Sequence, residues 1–144
     1  MDYQQIIEFS AAALTPVIAI ITIYIALRQH KINNVRLKHE LYEKRLQVYN
    51  AVIKFLSIVI AVGLGFDKLE YLGEFRRDTS QAYFLFEKDI YEYLDEIYDK
   101  AVDLMQLDKS TKEEKEKIGE LLKWFGKQIS VCREKFGRDL KLKY

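Results

Sequence analysis

Apolar and polar positions divide the chain into one uncharged apolar run and several segments with helical periodicity. From Phe9 to Leu27, nineteen consecutive residues carry no formal charge, and Glu8 and Arg28 bracket them. A helix of this length extends about 28 Å, close to the roughly 30 Å of a bilayer's hydrocarbon core. A helix packed on a soluble core shows a polar stripe, and this run has none. We therefore expect a transmembrane helix over 9–27 rather than the buried helix of a soluble protein.

Basic residues follow the apolar run and predict its orientation. They are Arg28, Lys31, Arg36 and Lys38, with Lys44 and Arg45 further along. Short flanking segments rich in Lys and Arg stay cytoplasmic, so residues 1–8 are expected outside and the bulk of the chain inside the bacterial inner membrane. Asp2 and Glu8 argue against a cleaved signal peptide, which begins with a positive segment. The basic side chains either contact anionic lipid headgroups or only fix the topology.

Three positions in the run are candidates for a pore or membrane interface: Thr15, Pro16 and Tyr24. Pro16 removes one backbone hydrogen bond, which in lipid needs compensation, and Thr15 is placed to supply it. The proline either marks a kink at a pore or packed interface, or is an ordinary tolerated membrane proline. Tyr24, near the inner end, fits the interfacial aromatic belt.

Residues 28–66 predict a long juxtamembrane helix, which either continues the span or restarts after Asn33 and Asn34. Apolar positions recur at steps of four and three, as in a coiled coil. The residues predicted to form an oligomer seam are Val35, Tyr42, Leu46, Tyr49, Ile53 and Leu56, with His39 and Ile60 in the same register. Gly63 and Gly65 are expected to end the helix.

A second apolar stretch, Phe55 to Phe66, is too short to span a bilayer, since twelve helical residues reach only about 18 Å. We interpret it as a core helix or a membrane-surface contact, with a membrane hairpin as the alternative. The location of the C-terminus would distinguish these interpretations.

Residues 67–144 predict a cytoplasmic helical domain. A short helix over 67–77 is followed by a break at 78–80, and Ser110 with Glu113 matches a capping box that opens a final helix ending near Gly137. The acidic helix between them has an expected core face of Ile90, Leu94, Ile97, Tyr98, Ala101, Leu104 and Met105. The final helix has an expected core stripe of Ile118, Leu122, Phe125, Ile129, Cys132 and Phe136.

Composition supports an all-α fold, with one transmembrane helix continuing into a helical bundle, because proline occurs once and glycine six times. Charge alternates along the chain. Six basic and two acidic residues lie in 28–45, five basic and twelve acidic in 67–108, and eleven basic and six acidic in 109–144. Alternating blocks favour attraction between subunits over a nucleic-acid groove, so no nucleic-acid partner is predicted.

No catalytic, cofactor-binding or metal-binding constellation is visible in the sequence. Cys132 is the sole cysteine, and His30 and His39 are the only histidines. No phosphate-binding glycine loop or metalloprotease motif occurs. The nucleases of the HEPN fold use an R-x(4–6)-H motif, whose spacing neither histidine matches. We therefore predict a protein that is not an enzyme, with a ribonuclease of unfamiliar site as the least favoured alternative.

A juxtamembrane motif resembles one found in uncharacterised small bacterial single-pass membrane proteins, L-(Y/F)-E-K-R-x-x-V-Y. It comprises Leu41, Tyr42, Glu43, Lys44, Arg45, Val48 and Tyr49. The segment Ala82 to Ala101 also looks like that group's second recurrent block. The layout is more distantly similar to the membrane accessory protein of type VI-B CRISPR systems. That resemblance implies a ring-shaped homo-oligomer that perturbs the membrane during phage infection, and it transfers no residue-level role.

These features predict a membrane-anchored, self-associating helical protein without catalytic activity, with pore formation or membrane disruption in antiviral defence as the most specific form. The expected partners are membrane lipids and further copies of the chain. The alternative is a membrane-tethered adaptor that recruits a cytosolic protein through a tyrosine-rich face, comprising Tyr83, Tyr91, Tyr93 and Trp124.

Overall fold

The computed structural model describes residues 2–63, 68–108 and 110–141, without the side chains of residues 5–7, 9–11, 13, 15 and 68. The helices are α1 (Tyr3–Val62), α2 (Lys68–Thr79), α3 (Ala82–Leu85), α4 (Lys88–Gln106) and α5 (Lys112–Gly137). No strand occurs in the described ranges, so the all-α prediction is confirmed. The chain divides into two compact units, one ending at Glu40 and the other beginning at Leu41.

Helix α1 is a single helix of 60 residues that continues through Pro16, Asn33 and Asn34. The alternative of a restart after the asparagines is therefore not adopted. The helix ends after Val62, where Gly63 has a φ of 55°, a left-handed conformation that glycine adopts without steric cost. Gly65, the second predicted terminator, lies outside the described residues.

The last four turns of α1 form one side of the core of the second unit. Buried side chains there are Val48, Val52, Phe55, Leu56 and Val59. Their steps of four and three place them on one face, and Phe55 stacks on Phe75 of α2 with ring centroids 4.3 Å apart. The described part of the second apolar stretch is thus a core helix, in agreement with the first interpretation of that stretch.

Helices α4 and α5 pack against each other, and α4 also packs against α2 and α3. The predicted core faces are confirmed. Ile90, Leu94, Ile97, Ala101 and Leu104 are buried on α4, as are Ile118, Phe125, Cys132 and Phe136 on α5. The other predicted members, Tyr98, Met105, Leu122 and Ile129, are partly buried against the same core. Tyr93 is buried as well, although the apolar pattern did not include it.

Three helix boundaries differ from the sequence prediction. Helix α2 extends two residues past the predicted end at Arg77, to Thr79, so it includes most of the predicted break at 78–80. The capping box of α5 lies one residue later than predicted, because Thr111, not Ser110, is the N-cap and Glu114 is its partner. Ser110 instead bonds to the Asp108 carboxylate. The chain also breaks a second time at Phe86 and Glu87, whose extended backbone separates α3 from α4.

Candidate functional site

The first unit carries an apolar surface that its own chain leaves uncovered. The large apolar side chains described between Leu14 and Leu27 are each at least 48 % exposed, and they occupy most of the helix circumference. In the second apolar stretch, by contrast, Leu56 and Val59 are fully buried. By length and composition, α1 is able to cross a membrane, a test that a buried core helix also passes. Exposure therefore separates the two apolar stretches, and only the first lacks a protein environment.

The predicted pore or interface positions lie within this exposed stretch. Pro16 and Tyr24 are exposed. The side chain of Thr15 lies outside the described residues. The Thr22 hydroxyl donates a hydrogen bond to the Ile18 carbonyl oxygen at 2.8 Å, which satisfies that polar side chain within the helix.

The four basic residues that predict orientation, Arg28, Lys31, Arg36 and Lys38, are all exposed. Arg36 also pairs with Glu40 one turn later, with 3.0 Å between Nε and Oε1. Within the same basic segment, His30 Nδ1 and the Asn34 side-chain nitrogen lie 3.1 Å apart. These residues present an exposed cationic segment immediately after the apolar stretch.

The predicted oligomer seam is distributed between surface and core. Val35 is 63 % exposed, and Tyr42 and Leu46 are half-buried. Tyr49 and Ile53 pack partly against the core, and Leu56 is fully buried within one chain. Val48, Val52 and Leu56 recur at a helical period and form the face of α1 that is buried in the second unit. This buried face therefore overlaps the C-terminal part of the predicted seam.

Within the juxtamembrane motif, Arg45 contacts three distant residues of its own domain. Its Nε donates to the Leu85 carbonyl oxygen at 2.9 Å, and its Nη1 donates to the Asp139 carbonyl oxygen at 3.3 Å. Its guanidinium also lies over the Phe86 ring, 5.6 Å from the centroid. The side chain faces its own domain, so a headgroup contact is not its role in this structure.

Two further motif residues, Val48 and Tyr49, lie on the same face of α1 as Arg45. Val48 is buried, and Tyr49 packs against Phe136 with centroids 5.7 Å apart. Phe86 meets the same Phe136 ring edge-on at 5.0 Å. Residues spaced at i, i+3 and i+4 along α1 thereby hold the α3–α4 junction and the end of α5 together.

The predicted tyrosine-rich face is split by the fold. Tyr83 and Phe84 are 64 % and 84 % exposed, and Tyr91 contacts Tyr83 at 5.4 Å between centroids. Tyr93 is not part of a surface. It is buried, its hydroxyl donates to the Gln128 carbonyl oxygen at 3.2 Å, and burial raises the pKa of its phenol. We call Tyr83, Phe84 and Tyr91 the aromatic patch. Phe84 was not among the residues predicted from the sequence.

Trp124 lies apart from the aromatic patch, at an open cleft of about 540 Å³ between α4 and α5. The Lys100 ammonium lies 5.0 Å from its ring centroid. Charges of both signs line the cleft, including Asp103, Lys117 and Glu120, without a histidine or cysteine.

Cys132 is fully buried, and burial raises the pKa of its thiol to about 12. The thiol is therefore protonated at neutral pH and serves as a small apolar side chain. Among the described residues, no three His, Cys, Asp or Glu side chains cluster in a way that would hold a metal ion.

Comparison with known proteins yields no match to a family model, a curated protein or a solved structure. The resemblance to small bacterial membrane proteins therefore stays a prediction based on the motif residues themselves.

Proposed function

We propose that this protein is a membrane-anchored, self-associating helical protein without catalytic activity. The observation that carries the proposal is the exposed apolar stretch from Leu14 to Leu27. Exposing so many large aliphatic side chains to water is costly, at about 25 cal/mol per Å² of apolar surface. Lipid removes that cost, and apart from the hydrogen bond lost at Pro16 the backbone of a continuous helix satisfies its own polar groups there.

The exposed basic segment after the stretch supports an N-terminus outside and a C-terminus in the cytoplasm of a bacterial inner membrane. Arg28 and Lys31 lie within the first turn after the stretch and are free to approach anionic headgroups, each contributing about 1 kcal/mol near the surface. In this proposal lipids are the first partner of the protein.

Self-association is supported by small side chains within the exposed stretch. Ala19, Thr22 and Ala26 are exposed and recur at steps of three and four, which places them on one side of the helix. Small residues let transmembrane helices approach closely. Val35, the first residue of the predicted seam, is exposed and offers a further apolar contact to a second copy. Pore formation during antiviral defence is the most specific form of the proposal and is motivated by the CRISPR-accessory resemblance.

The proposal is tested by alkaline extraction of membranes from cells that make the full chain, followed by mass measurement in detergent. We expect the protein to remain in the membrane pellet and to run as more than one 17.1 kDa chain. Release into the alkaline supernatant would contradict the anchor, and a single-chain mass at micromolar concentration would contradict self-association.

A second candidate function is supported by the aromatic patch. Phe84 and Tyr83 are too exposed to contribute to the core, and such side chains are frequent at protein interfaces. A membrane-tethered adaptor would use them to bind a cytosolic protein. Ion flux through liposomes that contain the purified chain distinguishes the two functions: flux favours a pore, and its absence with a tight partner favours the adaptor.

A further inference from the structure

The outer side of α4 carries an acidic stripe, most of whose carboxylates form no ion pair with a described residue. Its exposed residues are Glu92, Glu96, Asp99 and Asp103, at steps of four and three. Glu92 pairs with Lys88 in the preceding turn. Within the described ranges, Glu96, Asp99 and Asp103 form no ion pair. The acidic stripe is therefore a negatively charged helix face about 17 Å long, from Glu92 to Asp103, whose last three carboxylates pair with no described basic residue.

The C-terminal half of α5 carries a complementary basic stripe. Its exposed residues are Lys123, Gly126, Lys127, Ser130 and Arg133, with Glu134 as the acidic exception. Lys123, Lys127 and Arg133 form no ion pair with any described residue. The basic stripe extends about 15 Å, nearly the same length as the acidic stripe.

Gly126 leaves the backbone of the basic stripe uncovered near its centre. It lies in the middle of a 26-residue helix, and a Cβ atom added there would meet nothing within 4 Å. Its own fold therefore does not require glycine, although glycine weakens a helix interior relative to alanine. A bare backbone between two lysines does allow another helix to approach closely.

We propose that copies of the chain associate head to tail, with the acidic stripe of α4 in one copy against the basic stripe of α5 in the next. The proposal rests on the proposed self-association and identifies its cytoplasmic contact surfaces. Opposite charge and matching length favour a second copy as the partner. The contact joins different surfaces of the two copies, so each copy keeps one free surface, and repetition builds a ring or a chain of subunits.

Reciprocal charge reversal in the full chain tests this contact. The acid-reversed variant carries Glu96→Lys and Asp99→Lys, and the base-reversed variant carries Lys123→Glu and Lys127→Glu. Each variant alone places like charges against each other, so we expect self-association in detergent to weaken on the order of a hundredfold. An equimolar mixture restores opposite charges wherever the two variants alternate, so association should return, at every contact in an open chain or in a ring with an even number of subunits.

The outcomes separate the contact from self-association itself. Wild-type particles that already have the mass of one chain overturn both proposals. Oligomeric wild type together with unchanged masses for both variants overturns the stripes as the contact while self-association stands. Variants that dissociate but do not reassemble on mixing also overturn it, since the two stripes would then not face each other. Helical circular dichroism of each variant checks folding, which these exposed positions should not disturb.

Gly126→Leu provides a test that does not depend on charge. Leucine favours helix and has space in the monomer, so thermal stability should be kept or raised, whereas the side chain prevents close approach of the next copy. Gly73→Leu is the matched control, because Gly73 is an exposed glycine inside α2 with equally open surroundings. We expect the Gly126 variant alone to lose oligomer mass. Equal masses for the two variants would overturn the contact.

Discussion

The Nε of Arg45 donates a hydrogen bond to the carbonyl oxygen of Leu85 at 2.9 Å, although forty positions separate the two residues. Leu85 ends a single-turn helix, whose terminal carbonyl groups have no partner within the helix. A guanidinium from the long helix supplies that partner. The arginine of the E-K-R segment therefore has a folding role in this chain, because it links α1 to the α3–α4 junction.

Replacing Arg45 should destabilise the second unit. Arg45→Met keeps most of the aliphatic packing but removes the donors to Leu85 and Asp139, and hydrogen bonds from charged groups contribute about 1.5–3 kcal/mol. We expect the free energy of unfolding to fall by about that amount in urea titrations followed by Trp124 fluorescence. Lys44→Met is the matched control, since Lys44 is the exposed neighbour in the same motif. An equal loss of unfolding free energy in both variants would contradict a stabilising role of the Arg45 hydrogen bonds.

The buried phenol of Tyr93 should contribute through its hydroxyl. Tyr93→Phe retains the ring and removes the 3.2 Å bond to the Gln128 carbonyl oxygen. The expected loss is about 0.5–1.5 kcal/mol, at the ordinary size for one hydrogen bond. Tyr91→Phe changes the same group on a half-exposed residue of α4 and should alter stability little. A larger effect at Tyr91 than at Tyr93 in thermal melts would contradict this assignment.

Cys132 predicts an alkaline loss of stability. Its folded pKa is about 12 against an ordinary value of 9.0. Between these values the folded chain holds a proton that the unfolded chain releases, so stability falls as pH rises through that window and is fully present below pH 9. Cys132→Ala should flatten the fall of melting temperature with pH across the accessible part of the window. Unchanged steepness would show that the thiol does not contribute. The native thiol should also resist alkylating reagents at neutral pH until the chain is unfolded.

The N-cap of α5 is tested by two neighbouring hydroxyl residues. Thr111→Ala removes the bond from the Glu114 amide at 3.2 Å and should cost about 1 kcal/mol, as N-cap losses do. Ser110→Ala leaves that capping box in place and should cost less. Chemical denaturation of the two variants decides between the register in the structure and the register predicted from Ser110 and Glu113. A greater loss at Ser110 would favour the latter.

Periodic apolar positions predicted the helices and most of the core, because burial of one helix face repeats every three or four residues. Helix α5 illustrates this: Ile118, Phe125, Cys132 and Phe136 were all identified from spacing and all are buried. Tyr93 was missed as a core residue because it was assigned to the tyrosine-rich face, whereas its hydroxyl donates to the Gln128 carbonyl oxygen inside the domain. The capping box was misplaced by one residue because Ser110 and Thr111 both precede a glutamate by three.

The candidate site was less predictable, because it depends on contacts between distant segments. Arg45 belonged to a run of basic residues, and only folding brings it to Leu85 and Asp139. The aromatic patch gained Phe84 because the break at Phe86 and Glu87 shortens α3 to one turn and leaves that ring uncovered. Sequence spacing alone does not locate such a break when neither proline nor glycine marks it.

The membrane anchor yields the last prediction. Lysine at the centre of a transmembrane helix costs about 2.5–3.5 kcal/mol in insertion, so Ile18→Lys combined with Ile21→Lys should move a large share of the protein from the membrane to the alkaline-soluble fraction. Both isoleucines are more than half exposed, so folding of the helix itself gives them no other constraint. Leu37→Lys is the control, since Leu37 is as exposed in the same helix but lies beyond the stretch. If the paired substitution and the control extract alike, the exposed stretch is covered by protein rather than by lipid.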